Sequence, residues 1–206
     1  MRIYVATRNR GKLREMEALF GSRGITLVTF DRYAEPEEGD TSYADNAALK
    51  ARTLHDQLRE AGLPANVLAD DSGLEVYALD GRPGVLTAYY GGAGVPWAER
   101  RQLLLDELTA TGSDDRRARF VCALHLITEV RREFTGVGTV EGVIAQEERG
   151  TEGFSFDPVF VHPPSGRTFA EMPDWEKNAV SHRTIAVSRL IGDLEAAGLV
   201  PVLPRP

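Results

Sequence analysis

Two long runs of strand-forming residues lie almost end to end in the middle of this chain, RARFVCALHLITEV at 117–130 and EFTGVGTVEGVIAQ at 133–146. The charged stretch 129–133 that joins them has room only for a turn, so they pair as a hairpin. That feature excludes an all-helical fold and a purely parallel sheet. Around the hairpin, strands and helices alternate. RIYVA (2–6) reads as a strand, TRNRGK (7–12) breaks it, and Leu13, Met16 and Leu19 or Phe20 follow at helical period. ITLVTF (25–30) is a second strand, 31–40 an acidic loop, and 43–61 a long helix. Ser42 and Asp45 open that helix as a capping box, and Ala47, Ala51, Leu54, Leu58 and Ala61 form its apolar face. NVLAD and LEVYAL read as short strands flanking a turn at 70–73, and a Gly- and Pro-rich loop then leads into a helix at WAERRQLLLDELTA. GFSFDPVFVHP is apolar but interrupted at Asp157-Pro158, and a last helix starts after Ser181. The interspersion predicts an α/β fold with a mixed sheet and flanking helices, one domain over 1–206.

Charge narrows the function. A formal net charge of -7 argues against a nucleic-acid-binding surface, which needs broad basic patches. A polyanionic ligand must then be met locally, by clustered Lys and Arg, by a metal ion, or by both. The longest apolar runs are only a few residues, so no membrane partner is expected. MRIYVATRNR meets charge again by Arg8, which leaves no signal-peptide core, and the lone Cys122 has no partner for an internal disulfide. A cytoplasmic protein is the expectation.

Five stretches have chemistry to offer. TRNRGK is a polar turn between strand and helix, suited to phosphate through backbone N–H groups and Lys12, though a solvated turn reads the same way. Asp70 and Asp71 follow a short strand, and if its alternation carries on, one can face a ligand while the other bonds into the scaffold; a Mg²⁺ ligand and a turn cap are both consistent. The acidic loop 36–40 offers a further carboxylate or merely a solvated surface. Phe154-Ser155-Phe156-Asp157 sets two rings and an acid together, for stacking on a base or for filling a core. Lys177, Asn178, Ser181, His182 and Arg183 gather around the start of the last helix, where cations oppose the helix dipole unless an anion compensates.

Taken in order, TRNRGK, Asp45-Asn46-Ala47-xx-Lys50-Ala51, ADDSGLEV, GRPG with Tyr90-x-Gly92, GFSFDP, Glu176-Lys177 and SHR resemble the inosine/xanthosine triphosphatases, pyrophosphatases of deaminated purine nucleoside triphosphates. The resemblance spans nearly the whole chain. It implies an elongated, twisted mixed sheet, two lobes around a central nucleotide cleft, and a homodimer. It implies Mg²⁺-dependent hydrolysis of ITP, dITP and XTP, small-molecule substrates, to monophosphate and pyrophosphate. Thr7, Arg8, Asn9, Arg10, Gly11 and Lys12 become the triphosphate loop, Asp71 the general base and a metal ligand, Glu38 a second metal ligand, and Ser72 a substrate contact. The acid pair 70–71 would face Mg²⁺. Phe154, Ser155, Phe156, Asp157, Lys177, His182 and Arg183 become the nucleotide-recognition set. The chain departs from the family pattern at Arg8, often Gly, at GFSFDP for GFGYDP, and at TAYYGG for SARYSG.

Overall fold

The structure is a computed structural model that describes residues 1–202. Its frame is a seven-stranded sheet of order β2-β1-β3-β4-β5-β6-β7, built from β1 (Arg2–Ala6), β2 (Thr26–Val28), β3 (Val67–Val76), β4 (Arg117–Ile127), β5 (Glu133–Ile144), β6 (Phe160–His162) and β7 (Arg167–Thr168). β1 runs parallel to β2 and β3, while β6 runs antiparallel to β5 and β7, so the sheet is mixed as the alternation predicted. The helices are α1 (Arg10–Gly21), α2 (Tyr43–Glu60), α3 (Trp97–Ala110), α4 (Asp174–Val180) and α5 (His182–Ala196). The central hairpin closes as expected, with the Thr128 N–H donating to the Arg132 carbonyl at 2.9 Å and Arg131 at a left-handed φ of 62°.

The chain divides into two compact units, one of residues 1–71, 122–138 and 183 onward, the other of 72–121 and 139–182. In the first, the sheet is covered on both faces. Ile3 and Val5 of β1 enter a core with Met16 and Phe20 of α1 and Leu190 and Leu194 of α5. Tyr4 and Ala6 enter the opposite core with Ala51, Leu54 and Leu58 of α2. The period-2 pattern of the strand thus sorts side chains onto two helix layers, each fully buried large residue contributing about 1.5–3 kcal/mol. The start of α2 is capped as the sequence predicts, Ser42 Oγ accepting from the Asp45 N–H at 3.2 Å, and α1 is capped by Asn9, whose Oδ1 accepts from the Lys12 N–H at 3.1 Å, about 1 kcal/mol each. The second unit packs Leu104 and Leu108 of α3 with Leu74, Phe156, Phe160 and Phe169.

Two sequence expectations change. Asp70–Gly73 is not a turn between short strands but the middle of one ten-residue strand, β3. Its composition favours a turn, yet an extended backbone sends the two acids to opposite faces, where each meets cations. α4 and β7 occupy a stretch in which the sequence indicated no element, being only seven and two residues long and so too short to show a period.

Candidate active site

On β3, Leu68 points into the core shared with α1 and α5, while Val67 and Ala69 point into the core beneath α2. By the same alternation Asp70 belongs to the α1/α5 face and Asp71 to the α2 face. Asp70 is 1% exposed. Its Oδ1 lies 2.5 Å from Lys12 Nζ, and its Oδ2 lies 3.5 Å from Arg183 Nε and accepts from the Cys122 thiol at 3.2 Å. Arg183 pairs at its other end with Glu15. Burial alone would raise the Asp70 pKa, but Lys12 and Arg183 outweigh it and hold the carboxyl well below the usual carboxylate range. Asp70 is therefore engaged by Lys12 and Arg183 on the face of β3 opposite Asp71, and the expectation that the two acids face the same way is not met.

Asp71 sits among different partners. Asn46 Nδ2 donates to its Oδ2 at 3.2 Å, and Lys50 Nζ lies 3.5 Å from its Oδ1 and 2.9 Å from Glu38 Oε1. Asn46 and Lys50 are four residues apart on α2 and so share a face. Burial pushes the Asp71 pKa up and prevails over Lys50 and Lys12, with Asp70 and Glu38 adding to the rise. An acid in that condition accepts a proton more readily than an exposed one.

The donors fit a small divalent cation. Glu38 and Asp71 both reach Lys50, so two hard carboxylate oxygens converge on one place where positive charge is already favoured. Across this face and the Asp70 face, three cations (Lys12, Lys50, Arg183) meet four carboxylates (Glu15, Glu38, Asp70, Asp71). Among the described residues no group of three or more His, Cys, Asp or Glu could hold a metal by itself.

The loop ahead of α1 is braced from within. Thr7 Oγ1 accepts from the Asn9 N–H at 3.1 Å, and Arg8 donates to the Tyr33 carbonyl at 2.6 Å, tying the loop to the acidic segment. Thr7, Arg8, Asn9 and Arg10 line a cavity of about 370 Å³, and Gly11 and Lys12 complete the first turn of α1.

In the second unit, Asp157 Oδ2 accepts from the Phe154 N–H at 2.7 Å and from Lys177 Nζ at 2.5 Å. Only glycine suits position 153, because a Cβ there would stand 2.2 Å from that oxygen. Lys177 Nζ also lies 4.8 Å from the centroid of the half-buried Phe154 ring, a cation–π contact. Phe156 is wholly buried against Trp97 and Tyr90, with ring centroids at 5.4 and 6.1 Å, so it is core and Phe154 is the accessible ring. Ser155 adopts φ 59° beside it. His182 is buried with its ring flat on Phe120, centroids 4.8 Å apart. Ser72 is half-buried on β3.

The structure thus gathers Lys12 and Arg183 around Asp70 on one face of β3, Glu38 and Asp71 around Lys50 on the other, and Phe154, Asp157 and Lys177 into a third group. Sequence reasoning gave no role to Glu15, Asn46, Lys50 or Phe120. For Asn46 and Lys50 the i, i+4 spacing on a helix was the available signal; for Glu15 and Phe120 there was none.

Residues 3–193 match the Ham1 family. A protein of Listeria monocytogenes named dITP/XTP pyrophosphatase is 43% identical over 196 residues, 94% of each chain. Solved Ham1 proteins of Coxiella burnetii and Staphylococcus aureus superpose with a TM-score of 0.81 each, at 38% and 32% identity, covering 95% and 96% of this chain and 99% and 100% of theirs. With the fold and nearly the whole sequence in agreement, this chain belongs to the Ham1 family.

Proposed function

We propose that the chain hydrolyses ITP, dITP and XTP to the nucleoside monophosphate and pyrophosphate, and so clears deaminated purines from the nucleotide pool. The observation that carries this reading is the division of labour on β3, where Asp70 anchors Lys12 of the phosphate loop and Asp71 lies on the opposite face with Lys50 and Glu38. The name of the Listeria relative supports the substrate class.

In this reading the N–H groups at the start of α1 and the Lys12 ammonium hold the triphosphate. Asp71 takes the proton of a water whose oxygen bonds to the α-phosphorus, while the bond from that phosphorus to the α–β bridging oxygen breaks and pyrophosphate leaves. Held by Asp71 and Glu38, Mg²⁺ would neutralise phosphate charge and acidify nearby water. Lys12 stabilises negative charge on the departing group. Phe154, with Lys177 at its ring, offers a stacking surface for the base, and Ser72 a polar contact. His182 is assigned the 6-oxo group, which a 6-amino base would replace with a mismatched donor. Arg183 is assigned to holding Asp70 and, through it, Lys12.

The deciding measurement is a panel of ITP, XTP, dUTP, GTP and ATP with Mg²⁺, scoring pyrophosphate against orthophosphate. Fast turnover of ITP and XTP with pyrophosphate as first product is expected. Orthophosphate as first product overturns the bond assignment, and equal turnover of ATP overturns the substrate class. A cytoplasmic homodimer belongs to the same reading; light scattering at the monomer mass would remove the dimer.

A further inference from the structure

Asn46 makes three hydrogen bonds with one buried amide. Its Oδ1 accepts from the Gly39 N–H at 2.9 Å, and its Nδ2 donates to the Gly39 carbonyl at 2.9 Å and to Asp71 Oδ2 at 3.2 Å. It is 3% exposed. A flipped amide would set its NH₂ against the Gly39 N–H and its oxygen against the Asp71 carboxylate, so the pattern fixes one orientation. Gly39 follows Glu38 directly, and a residue held at both its N–H and its C=O restricts where the preceding side chain can start. One helix residue therefore grips the loop that carries Glu38 and the strand that carries Asp71.

We infer that Asn46 is a positioning residue that keeps the Glu38 and Asp71 carboxylates at the separation a divalent cation needs. The inference rests on the reading of those two acids as metal ligands. Its donor on Asp71 Oδ2 also leaves Oδ1 on the side shared with Lys50 and Glu38, so the two acids present oxygens toward one point. Groups that orient metal ligands in this way affect metal affinity about 10–100-fold.

The test compares Asn46→Ala with the unaltered chain, Asp71→Asn and Glu38→Gln. Mn²⁺ affinity is measured by electron paramagnetic resonance with hydrolysis-resistant α,β-methylene-ITP present, alongside the Mg²⁺ dependence of ITP turnover. Asn46→Ala is expected to weaken Mn²⁺ binding about tenfold or more and to raise the half-activating Mg²⁺ by a like factor. Excess Mg²⁺ should restore most of kcat, and KM for ITP at saturating Mg²⁺ should stay within about twofold. A purely structural role would instead lower the melting temperature and the active fraction while the folded protein kept its Mn²⁺ affinity, and that result overturns the inference. Should Asn46→Ala not fold, Asn46→Ser, which keeps a hydroxyl for Gly39 but is too short to bridge to Asp71, carries the same expectation. If Asp71→Asn and Glu38→Gln weaken Mn²⁺ and the Asn46 variants do not, only this inference falls. If neither acid affects Mn²⁺, the metal reading fails and takes this inference with it.

Discussion

Asp70 and Asp71 are chemically alike and adjacent, yet their substitutions should fail in different ways. Asp71→Asn removes the proton acceptor, and kcat for ITP should fall about a thousandfold or more with a smaller change in KM, measured by steady-state pyrophosphate release. Because burial already disfavours the Asp71 charge, the same change should cost little stability. Asp70→Asn leaves Lys12 and Arg183 without the carboxylate they share in a buried place, a loss of about 3–5 kcal/mol readable from urea unfolding. An Asp70→Asn protein as stable as its parent would show that this pair is not what holds the network. That adjacent acids at a strand end can take different roles was legible in the sequence, though not that the strand runs on through both. Which cation each one meets was not, since Lys12 and Arg183 are distant along the chain and only the fold joins them. Ser155 repeats the lesson: the common Gly of the motif is visible, but the strain of an L-residue at φ 59° appears only with the backbone. Ser155→Gly should relieve up to about 1 kcal/mol and leave the thermal midpoint no lower than the parent's.

At the level of elements, what local pattern can specify was readable, and what tertiary contact specifies was not. The β4–β5 hairpin, α1, α2, α3 and α5 each carry their own period and end signals. β3 was misread because its central Asp-Asp-Ser-Gly has turn composition, and only cations from α1, α2 and α5 make an extended course favourable there. Gly136 on β5 is another position whose reason lies outside its own segment. A Cβ there would stand 2.4 Å from the Ala186 carbonyl oxygen and 2.9 Å from Leu190 Cβ, so β5 and α5 approach as closely as backbone permits. Gly136→Ala should force them apart at a cost of about 1–3 kcal/mol, lowering the urea midpoint without changing the unfolding slope. An unchanged midpoint would mean that α5 is not seated so tightly on the sheet.

For the molecule as a whole, 31 acidic against 24 basic residues would suggest a stability governed by carboxylates, but a buried histidine adds a pH dependence nearer neutrality. His125 on β4 has its Nδ1 2.9 Å from Thr135 Oγ1 and its Nε2 3.1 Å from Glu133 Oε2, while Arg52 of α2 grips the same carboxylate at 2.7 Å. Burial pushes the His125 pKa down and outweighs the pull of Glu133, with Arg52 assisting the fall. The native ring thus binds fewer protons than the unfolded one just below the ordinary histidine range. Stability from the neutral ring is complete above about pH 6.5 and is lost as pH falls through the lower native pKa, with a slope of at most about 1.4 kcal/mol per pH unit. His125→Gln keeps a polar side chain but cannot titrate. Urea unfolding at pH 7.5 and 5.5 should therefore show a larger loss in the parent than in the variant; equal losses would mean that His125 is not the source of acid sensitivity in this range, where a depressed carboxylate such as Asp70 stays ionised in both states.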